Sequence, residues 1–507
     1  MKNNQLKMGA MLSYATLLVS NVIGILYTPI MLRLMGQGEY GLYSLVASVV
    51  GYLTVLDMGL GNAIVRYTAK YRALEDKEGE YRLNGMFIII YSLIGVAVAA
   101  IGVGLYTNVD KLFGATLSQT ELTKASLMMV LLVLNLAVSF PLGVFGSIMT
   151  AYERFVFPKI VNIIRVLINP CIMLPLLLMG YKSVTMVLVM TMLNIASLLT
   201  NVWYCFARLH IKISFGKWDI GLLKEIGGYS LFIFLNIIID KLYWSTDQLI
   251  LGMVSGTTMV AIYAVGAQLN NYYMNFSTAI SGVFLPRITM MVTHNESQEI
   301  ISKLFMKVSR IQYLVMSFIL SGFILFGRRF ITLWAGSDYD TAYFIALIVM
   351  VPSIIPLSQN LGITILQARN KHRFRSVVYI MIAIVNVVLS IPLAKMWGGI
   401  GCALATSFAT FIGQIVIMNI YYYKVAGIDI PRYWKEIGRI TMGVAIAMLI
   451  GAVLITYIDM QNILLYGVGI VLYSCIFLGI VWCLGMDAYE KELVGQQWEK
   501  IVKGMKR

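Results

Sequence analysis

The stretch FLNIIIDKLYWSTDQLILG, residues 234–252, has the length and apolar content of a membrane-spanning helix, yet it carries three charges. A charge at the centre of a bilayer costs about 2.5–3.5 kcal/mol on insertion scales. Asp240 and Asp247 are seven residues apart and share one helical face, whereas Lys241 points about 100° away from Asp240. Mutual neutralisation of adjacent residues therefore explains the charges poorly. A helix that faces a water-filled cavity explains all three.

The composition of the whole chain indicates the same environment. The 507 residues are 59% hydrophobic and only 12% charged, which is too little charge to cover a soluble protein of this size. Apolar runs of about 20 residues recur along the chain, and alternating strand patterns are absent. We therefore expect an all-α polytopic membrane protein. The run that begins near Met8 is already long enough to span, so we expect a retained helix there.

The apolar runs divide into fourteen predicted spans, and the basic residues fix their orientation. The spans cover residues 10–32, 41–64, 84–106, 124–147, 157–179, 184–206, 228–254, 258–284, 311–331, 342–366, 376–396, 399–422, 438–458 and 462–485. If the N-terminus is cytoplasmic, the inner segments hold 30 of the 39 lysines and arginines. This bias follows the positive-inside rule and predicts that both termini are cytoplasmic.

Matches at a fixed offset predict an internal duplication. Gly36 and Gly256, and likewise Tyr43 and Tyr263, are separated by 220 residues. An offset of six spans relates two parallel copies by an axis along the membrane normal. We predict an N-terminal six-helix lobe over 1–209, an amphipathic cytoplasmic linker over 210–226, a C-terminal six-helix lobe over 227–425, helices 13 and 14 over 437–486, and a cytoplasmic amphipathic tail over 487–507.

The linker and the tail place apolar residues along one helical face among lysines, so both are expected as helices at the inner headgroup layer. Ordinary solvated segments are the alternative for both.

Polar side chains deep in several spans are the candidate functional residues. The expected substrate cavity is lined by Arg165, Lys241, Asp240, Asp247, Asn21, Asn270, Asn271, Asn275, Gln359 and Asn360. For each of them, a buried hydrogen bond between helices is the structural alternative. Asp57, Asp240 and Arg66 are candidates for ion coupling or gating, and Asp57 has simple pairing with Arg66 as its alternative. Asp240 and Asp247 are candidates both for binding sugar and for coupling H+ or Na+.

Other features exclude several classes of function. The five cysteines lie in apolar runs and the three histidines are far apart, which argues against a metal site. The sequence has no GxxxxGK[ST], HExxH or GxSxG motif, so we expect a transporter and not an enzyme, without a cofactor. The net charge of +15 is explained by cytoplasmic loops, not by nucleic acid. We expect a monomer in contact with membrane lipids.

Three motifs resemble those of a known family. LDMGLGNAIVRY (56–67), YWSTDQLILGMVSGTTMVAIYAVGAQL (243–269) and WGGIGCALATSFAT (397–410) resemble segments of Wzx-type oligosaccharide and polysaccharide flippases. These belong to the MOP superfamily, which also contains the MATE exporters and the lipid II flippase MurJ. The resemblance implies a V-shaped two-lobe transporter working by alternating access. Its implied substrates are undecaprenyl-diphosphate-linked repeat units of O-antigen, capsule or exopolysaccharide in a bacterial cytoplasmic membrane.

The resemblance also assigns roles to the candidate residues. Arg165 and Lys241 suit a diphosphate, and the amides and carboxylates suit sugar hydroxyls. A polysaccharide polymerase and other assembly proteins are the implied partners.

Two competing functions remain open from the sequence. A cation-coupled, MATE-like exporter of small molecules would favour a negative cavity, whereas a diphosphate carrier needs positive charge. Asp240 and Asp247 oppose Arg165 and Lys241, so the charges alone do not decide. A membrane protein that only binds partners gains nothing from polar groups on many spans. The motifs and the fourteen spans favour the flippase.

Overall fold

The computed structural model describes residues 2–216, 220–294, 296–369, 371, 373–493 and 495, and within them the chain is helical with no β-strand. The helices are α1 Lys2–Met35, α2 Gln37–Gly51, α3 Leu60–Ala73, α4 Lys77–Thr107, α5 Val109–Phe113, α6 Gln119–Ala151, α7 Val156–Leu178, α8 Ser183–Ala207, α9 Ile220–Val254, α10 Gly256–Gly282, α11 Leu285–Thr293, α12 Gln298–Trp334, α13 Asp340–Ser358, α14 Asn360–Ala368, α15 Arg373–Thr410, α16 Met418–Lys424, α17 Ile430–Tyr457 and α18 Ile463–Ile480.

The helices confirm a polytopic membrane protein. Among the described residues, eleven helical segments are long and apolar enough to cross a membrane. The count becomes twelve if α10 and α11, which meet at a 42° bend, form one span. Fourteen spans and the duplication stay predictions.

The chain forms two compact units, Met1–Ala264 with Ser390–Gly399, and Val265–Leu389 with Ile400–Arg507. In the first unit α6 packs against α4 and α8, and α1 packs along α7. Phe87, Met128 and Ile148 are fully buried in this core. The helix α6 begins with a reciprocal capping box, in which the Ser118 hydroxyl accepts from the Glu121 amide and the Glu121 side chain accepts from the Ser118 amide.

The predicted second span is not one continuous helix. After α2 the chain tightens into a 3₁₀ turn, Tyr52–Asp57, and then passes through left-handed conformations at Met58 (φ 51°) and Gly59 (φ 69°). A Cβ on Gly59 would overlap the side chain of Ile233 on α9. The glycine therefore serves both the left-handed turn and a close helix contact. The apolar run over 41–64 predicted a membrane span, but it did not predict this break in the helix.

The predicted break between spans 11 and 12 is present. Helical hydrogen bonding continues through α15, but Gly398 inside it has non-helical angles (φ 55°, ψ −132°). The predicted tenth span, in contrast, is interrupted at Gln359, where α13 ends and α14 begins. Proline at positions 352 and 356 removes backbone donors from the last turns of α13.

The helix predicted over 210–226 is wrong in its first part. Residues 211–216 are not helical, and residues 217–219 lie outside the described part of the chain. The Ser214 amide donates to the Tyr81 carbonyl at 3.0 Å, and the Asn84 side chain donates to the Lys212 carbonyl at 3.4 Å. These bonds hold the segment against the first turns of α4, and they use backbone groups that a helix would need for itself.

In the second unit α12 packs against α13 and α17, and α17 packs against α18. One buried ion cluster joins these helices to the following tail. Arg310 of α12 is 3% exposed and binds Glu436 of α17 at 2.5 Å and Glu490 at 2.8 Å. The span predicted over 311–331 left Arg310 in a polar connection, whereas the structure places it inside a long helix.

The helical part of the tail begins after Asp487 and includes Glu490 of this cluster. The Asp487 side chain accepts from the Glu490 amide at 2.8 Å, and the Glu490 side chain accepts from the Asp487 amide at 2.9 Å. This capping box supports the predicted tail helix at its start. Positions 494 and 496–507 lie outside the described residues, so the rest of the tail stays a prediction.

Candidate functional site

Arg165 is the centre of a polar network inside the first unit. It is the tenth residue of α7, about 14 Å along the helix from its start. Its guanidinium donates to Asn194 Oδ1 of α8 at 2.5 Å and to Asn162 Oδ1 at 2.9 Å. Asn194 in turn donates to Asn135 Oδ1 at 2.9 Å and to Ser139 Oγ at 2.8 Å, both on α6. Three helices therefore hold Arg165 through neutral amide and hydroxyl groups.

The network opens onto a cavity of about 380 Å³ between α6, α7 and α8. Among the described residues its lining contains Arg165, four further polar residues and five apolar ones, with no aspartate or glutamate. Asn169, one helical turn beyond Arg165, also lines it, and its buried Oδ1 has no hydrogen-bond partner. The cavity therefore carries a positive charge that no carboxylate of its lining compensates.

Lys241 lies on α9 in the same unit and is half-buried. Its ammonium nitrogen is 3.7 Å from the position that a Cβ on Gly51 would occupy, so it faces the end of α2. It forms no salt bridge within the described residues. The side chain of its neighbour Asp240 lies outside the described part of the structure, so the expected role of Asp240 stays a prediction.

Asp247 is buried and fully engaged by hydroxyl groups. It is 2% exposed, and its two oxygens accept from the Tyr263 hydroxyl of α10 and, at 2.8 Å, from the Ser390 hydroxyl of α15. Both donors are neutral. Asp247 therefore ties three helical segments of the first unit together, and it does not line an open surface.

The other acidic candidate has a structural partner. Asp57 accepts a hydrogen bond from the Tyr91 hydroxyl of α4 at 2.8 Å. The Arg66 guanidinium lies 5.6 Å from the centre of the Tyr67 ring. Asn21 of α1 is half-buried and engaged in further interactions.

The five amide candidates beyond residue 264 all belong to the second unit. Asn270 and Gln359 are 2% and 1% exposed, and Gln359 donates to Asn419 Oδ1 at 2.7 Å. Asn360 donates to Ser277 Oγ at 3.3 Å. These three lie within helix packing, whereas Asn271 and Asn275 are exposed. The structure thus separates the predicted amides into a buried group and an exposed group.

Five polar residues around Arg165 were not among the predicted candidates: Asn135, Ser139, Asn162, Asn169 and Asn194. Asn162, Arg165 and Asn169 follow the spacing of one helical face, and Asn135 and Ser139 are four residues apart. This periodicity is the signal that could have found them. No cluster of His, Cys, Asp or Glu suited to a metal occurs among the residues the structure describes.

Comparison with known proteins identifies the family. The family profile described as "Polysaccharide biosynthesis protein" matches residues 6–292. A Shigella flexneri protein named as a putative O-antigen transporter is 20% identical over 400 residues, which cover 77% of this chain and 91% of that protein.

Two solved structures show the same fold. A lipid II flippase MurJ in an inward closed conformation gives a TM-score of 0.74 at 16% identity, and the match covers 96% of this chain and 100% of that one. An inward-facing multidrug resistance MATE transporter of the MOP superfamily gives 0.64 at 13% identity, covering 80% and 95%. The chain has the fold of these transporters, and it belongs to the polysaccharide biosynthesis protein family.

Proposed function

We propose that the protein is a flippase that moves undecaprenyl-diphosphate-linked oligosaccharide units from the inner to the outer leaflet of a bacterial cytoplasmic membrane. Alternating access is the proposed mechanism. The observation that carries this proposal is the state of two cations deep in helices. Within the described residues, the Arg165 guanidinium donates to two amide oxygens, and neither Arg165 nor Lys241 forms an ion pair. Both charges are available to a diphosphate.

Fourteen crossings are consistent with the helices. The segment Phe374–Lys424 has 51 residues, enough for two crossings, with the non-helical Gly398 near its middle. The 35-residue α9 is long enough for another. The eleven apolar segments already count Phe374–Lys424 once. Its second crossing, the bent pair and α9 add one crossing each, which gives fourteen. An even number of crossings and the basic inner segments support cytoplasmic termini.

The proposed duplication has one conformational parallel. Gly36 immediately precedes α2 and Gly256 is the first residue of α10, with φ of 82° and 79°. Glycine is required at such positions because other residues rarely adopt positive φ there. This supports two parallel six-helix lobes over 1–209 and 227–425.

Asp247 supports coupling to H+ or Na+. Asp247 is a buried carboxylate whose two oxygens accept from the hydroxyls of Tyr263 and Ser390, and intramembrane carboxylates often act in ion coupling. The same carboxylate is poorly placed to bind a cationic drug, because both of its oxygens are already engaged. The MATE-like exporter is therefore the second candidate.

A genetic complementation experiment tests the proposal. In a strain that lacks this gene, surface polysaccharide is measured after restoring the wild type, Arg165→Ala, Lys241→Ala or Asp240→Asn, with membrane levels compared. Arg208→Ala is the matched control, because Arg208 is exposed at the end of α8. We expect the wild type and the Arg208→Ala control to restore display, and the Arg165, Lys241 and Asp240 variants to restore little. No effect of the wild type on polysaccharide would instead favour the exporter.

A further inference from the structure

The cavity around Arg165 is lined by residues of α6, α7 and α8, all in the first unit. An arginine offers five N–H donors in a planar fork. Two of them are used by Asn194 and Asn162, so three remain for a ligand. The fork matches the paired oxygens of a phosphate better than a point charge does.

The surrounding residues fix the arginine in place. Asn194 accepts from Arg165 through its oxygen and donates to α6 through its nitrogen, so both ends of its amide are committed. The carbonyl side of Asn194 is therefore always turned toward the guanidinium. A guanidinium held in this way loses little conformational entropy when it binds an anion.

Asn169 is a further polar side chain that lines the same cavity. Its buried Oδ1 has no partner among the described residues. A buried polar group without a partner is costly, and more so at membrane depth. Its Nδ2 group carries two N–H donors, which are groups that an anion can accept hydrogen bonds from.

The size and charge of the cavity fit a phosphate group. The volume of about 380 Å³ equals that of about a dozen waters at ~30 Å³ each. No carboxylate in the lining competes for Arg165 or repels an anion. A charge this deep without a carboxylate partner is unfavourable, and an anionic ligand would offset that cost.

We propose that Arg165, Asn169 and the Asn194 relay form a phosphate-binding site that is complete within α6, α7 and α8. Resting on the proposed function, its ligand is the diphosphate of the lipid-linked substrate. Lys241 lies on α9 and outside the lining of this cavity, so the site does not require it.

Direct binding tests this site separately from transport. The full chain in phosphatidylcholine nanodiscs is titrated with radiolabelled farnesyl diphosphate, with farnesol as the uncharged matched ligand. We expect saturable binding of the diphosphate, no competition by farnesol, and about tenfold or more weaker binding for Arg165→Gln. Arg165→Lys should lie between the two, because it keeps the charge and loses the fork.

Asn169→Leu tests the site independently if the arginine variants fail to fold. The Asn169 Oδ1 has no hydrogen-bond partner among the described residues, so this substitution breaks no bond at that atom. We expect it to weaken binding about threefold with an unchanged melting temperature. Arg208→Gln, an exposed arginine outside the cavity, should bind like the wild type. Equal binding by folded Arg165→Gln and wild type, or no binding by the wild type, would overturn the site.

Two further comparisons complete the experiment. The first distinguishes a membrane-lipid phosphate from the substrate diphosphate, and the second distinguishes failure of the binding site from failure of the proposed flippase function. Phosphatidylglycerol in the nanodiscs should not displace the probe; equal displacement would assign the cavity to a membrane lipid and overturn the proposal. If polysaccharide display needs the protein while binding ignores Arg165, the flippase stands and the site falls. If binding needs Arg165 while display ignores the protein, the site stands and the flippase falls.

Discussion

Arg310 and Glu490 lie 180 residues apart in the chain and form a two-point ion pair, Nε to Oε1 at 2.8 Å and Nη2 to Oε2 at 2.9 Å. Their exposed fractions are 3% and 4%. Nη2 also donates to the Gly485 carbonyl at 2.9 Å, beyond the end of α18. This one guanidinium therefore attaches the tail and the last two helices to α12.

Arg310→Leu is expected to destabilise the second unit strongly. It would leave Glu490 buried without its partner and Glu436 without its closest cation, and breaking a buried pair in this way costs about 3–5 kcal/mol. The free energy of unfolding in detergent, from denaturant titration of the helical signal, measures the loss.

Arg328→Leu is the matched control for Arg310. Arg328 also forms a two-point pair, with Asp340 at 2.8 Å, but its side chain is 65% exposed. Exposed pairs contribute about 0–1 kcal/mol. Equal decreases in the free energy of unfolding for the two variants would show that burial does not determine how much the Arg310 cluster stabilises the protein.

Gly41→Ala is expected to disturb the contact between α2 and α10. A Cβ at this position would overlap the Thr257 carbonyl and lie 3.2 Å from the Ala261 nitrogen. Both are backbone atoms, so a side chain cannot move aside, and the helices themselves must separate. Overpacking of this kind costs about 1–3 kcal/mol.

Gly38→Ala is the control in the same helix. A Cβ there meets only the Thr257 hydroxyl oxygen, at 4.0 Å, which is an ordinary contact. Alanine also favours a helix over glycine. Gly38→Ala should therefore leave the melting temperature unchanged or raise it, while Gly41→Ala lowers it by several degrees. A neutral Gly41→Ala would mean that the two helices adjust without cost.

Hydropathy and charge predicted the class of fold because they report on the solvent of each helix. They also singled out Arg165 and Asp247 by the cost of burying charge, and the structure finds both side chains engaged by neutral polar partners. Hydropathy did not predict where the helix within an apolar run is interrupted. Gly59, in the turn, lies so close to Ile233 of α9 that a Cβ would overlap it, and the local sequence does not reveal that contact.

Partners distant in sequence were the other feature that could not be predicted. Arg310 looked like one more basic loop residue, because its carboxylates come from positions 436 and 490. Asn194 was not among the predicted candidates, because its partner Arg165 comes from another helix. The partners of these polar residues come from other helices, and the packing of the helices decides which residues meet.

Tyr152 offers a prediction of pH dependence. Its hydroxyl donates to the buried carboxylate of Glu80, and the Arg72 guanidinium lies 3.8 Å from its ring centre. Burial, and then the hydrogen bond to Glu80, raise the pKa of Tyr152 above its ordinary value near 10. The folded state holds the Tyr152 proton more tightly than the unfolded state does. The contribution of this hydroxyl to the free energy of unfolding is therefore fully present below about pH 10 and is lost as the pH rises further.

The test compares the wild type with Tyr152→Phe. The difference in their free energies of unfolding should be constant from pH 7 to about pH 9.5 and should shrink above pH 10. Other tyrosines affect both proteins alike and cancel in the difference. A difference that grows above pH 10 would have the wrong sign for a raised pKa.

Asp247→Asn separates a structural role for this carboxylate from a role in ion coupling. Asparagine keeps the size and an oxygen that can accept from Tyr263 or Ser390, so the fold should survive with a loss of about 1–3 kcal/mol. It cannot carry or release a proton near neutral pH. If Asp247 couples transport to an ion, display of polysaccharide should fall steeply at normal membrane levels. Ser390→Ala, which removes one donor and keeps the carboxylate, should retain display with a similar loss of stability. Equal display by the two variants would make Asp247 a structural link between α9, α10 and α15.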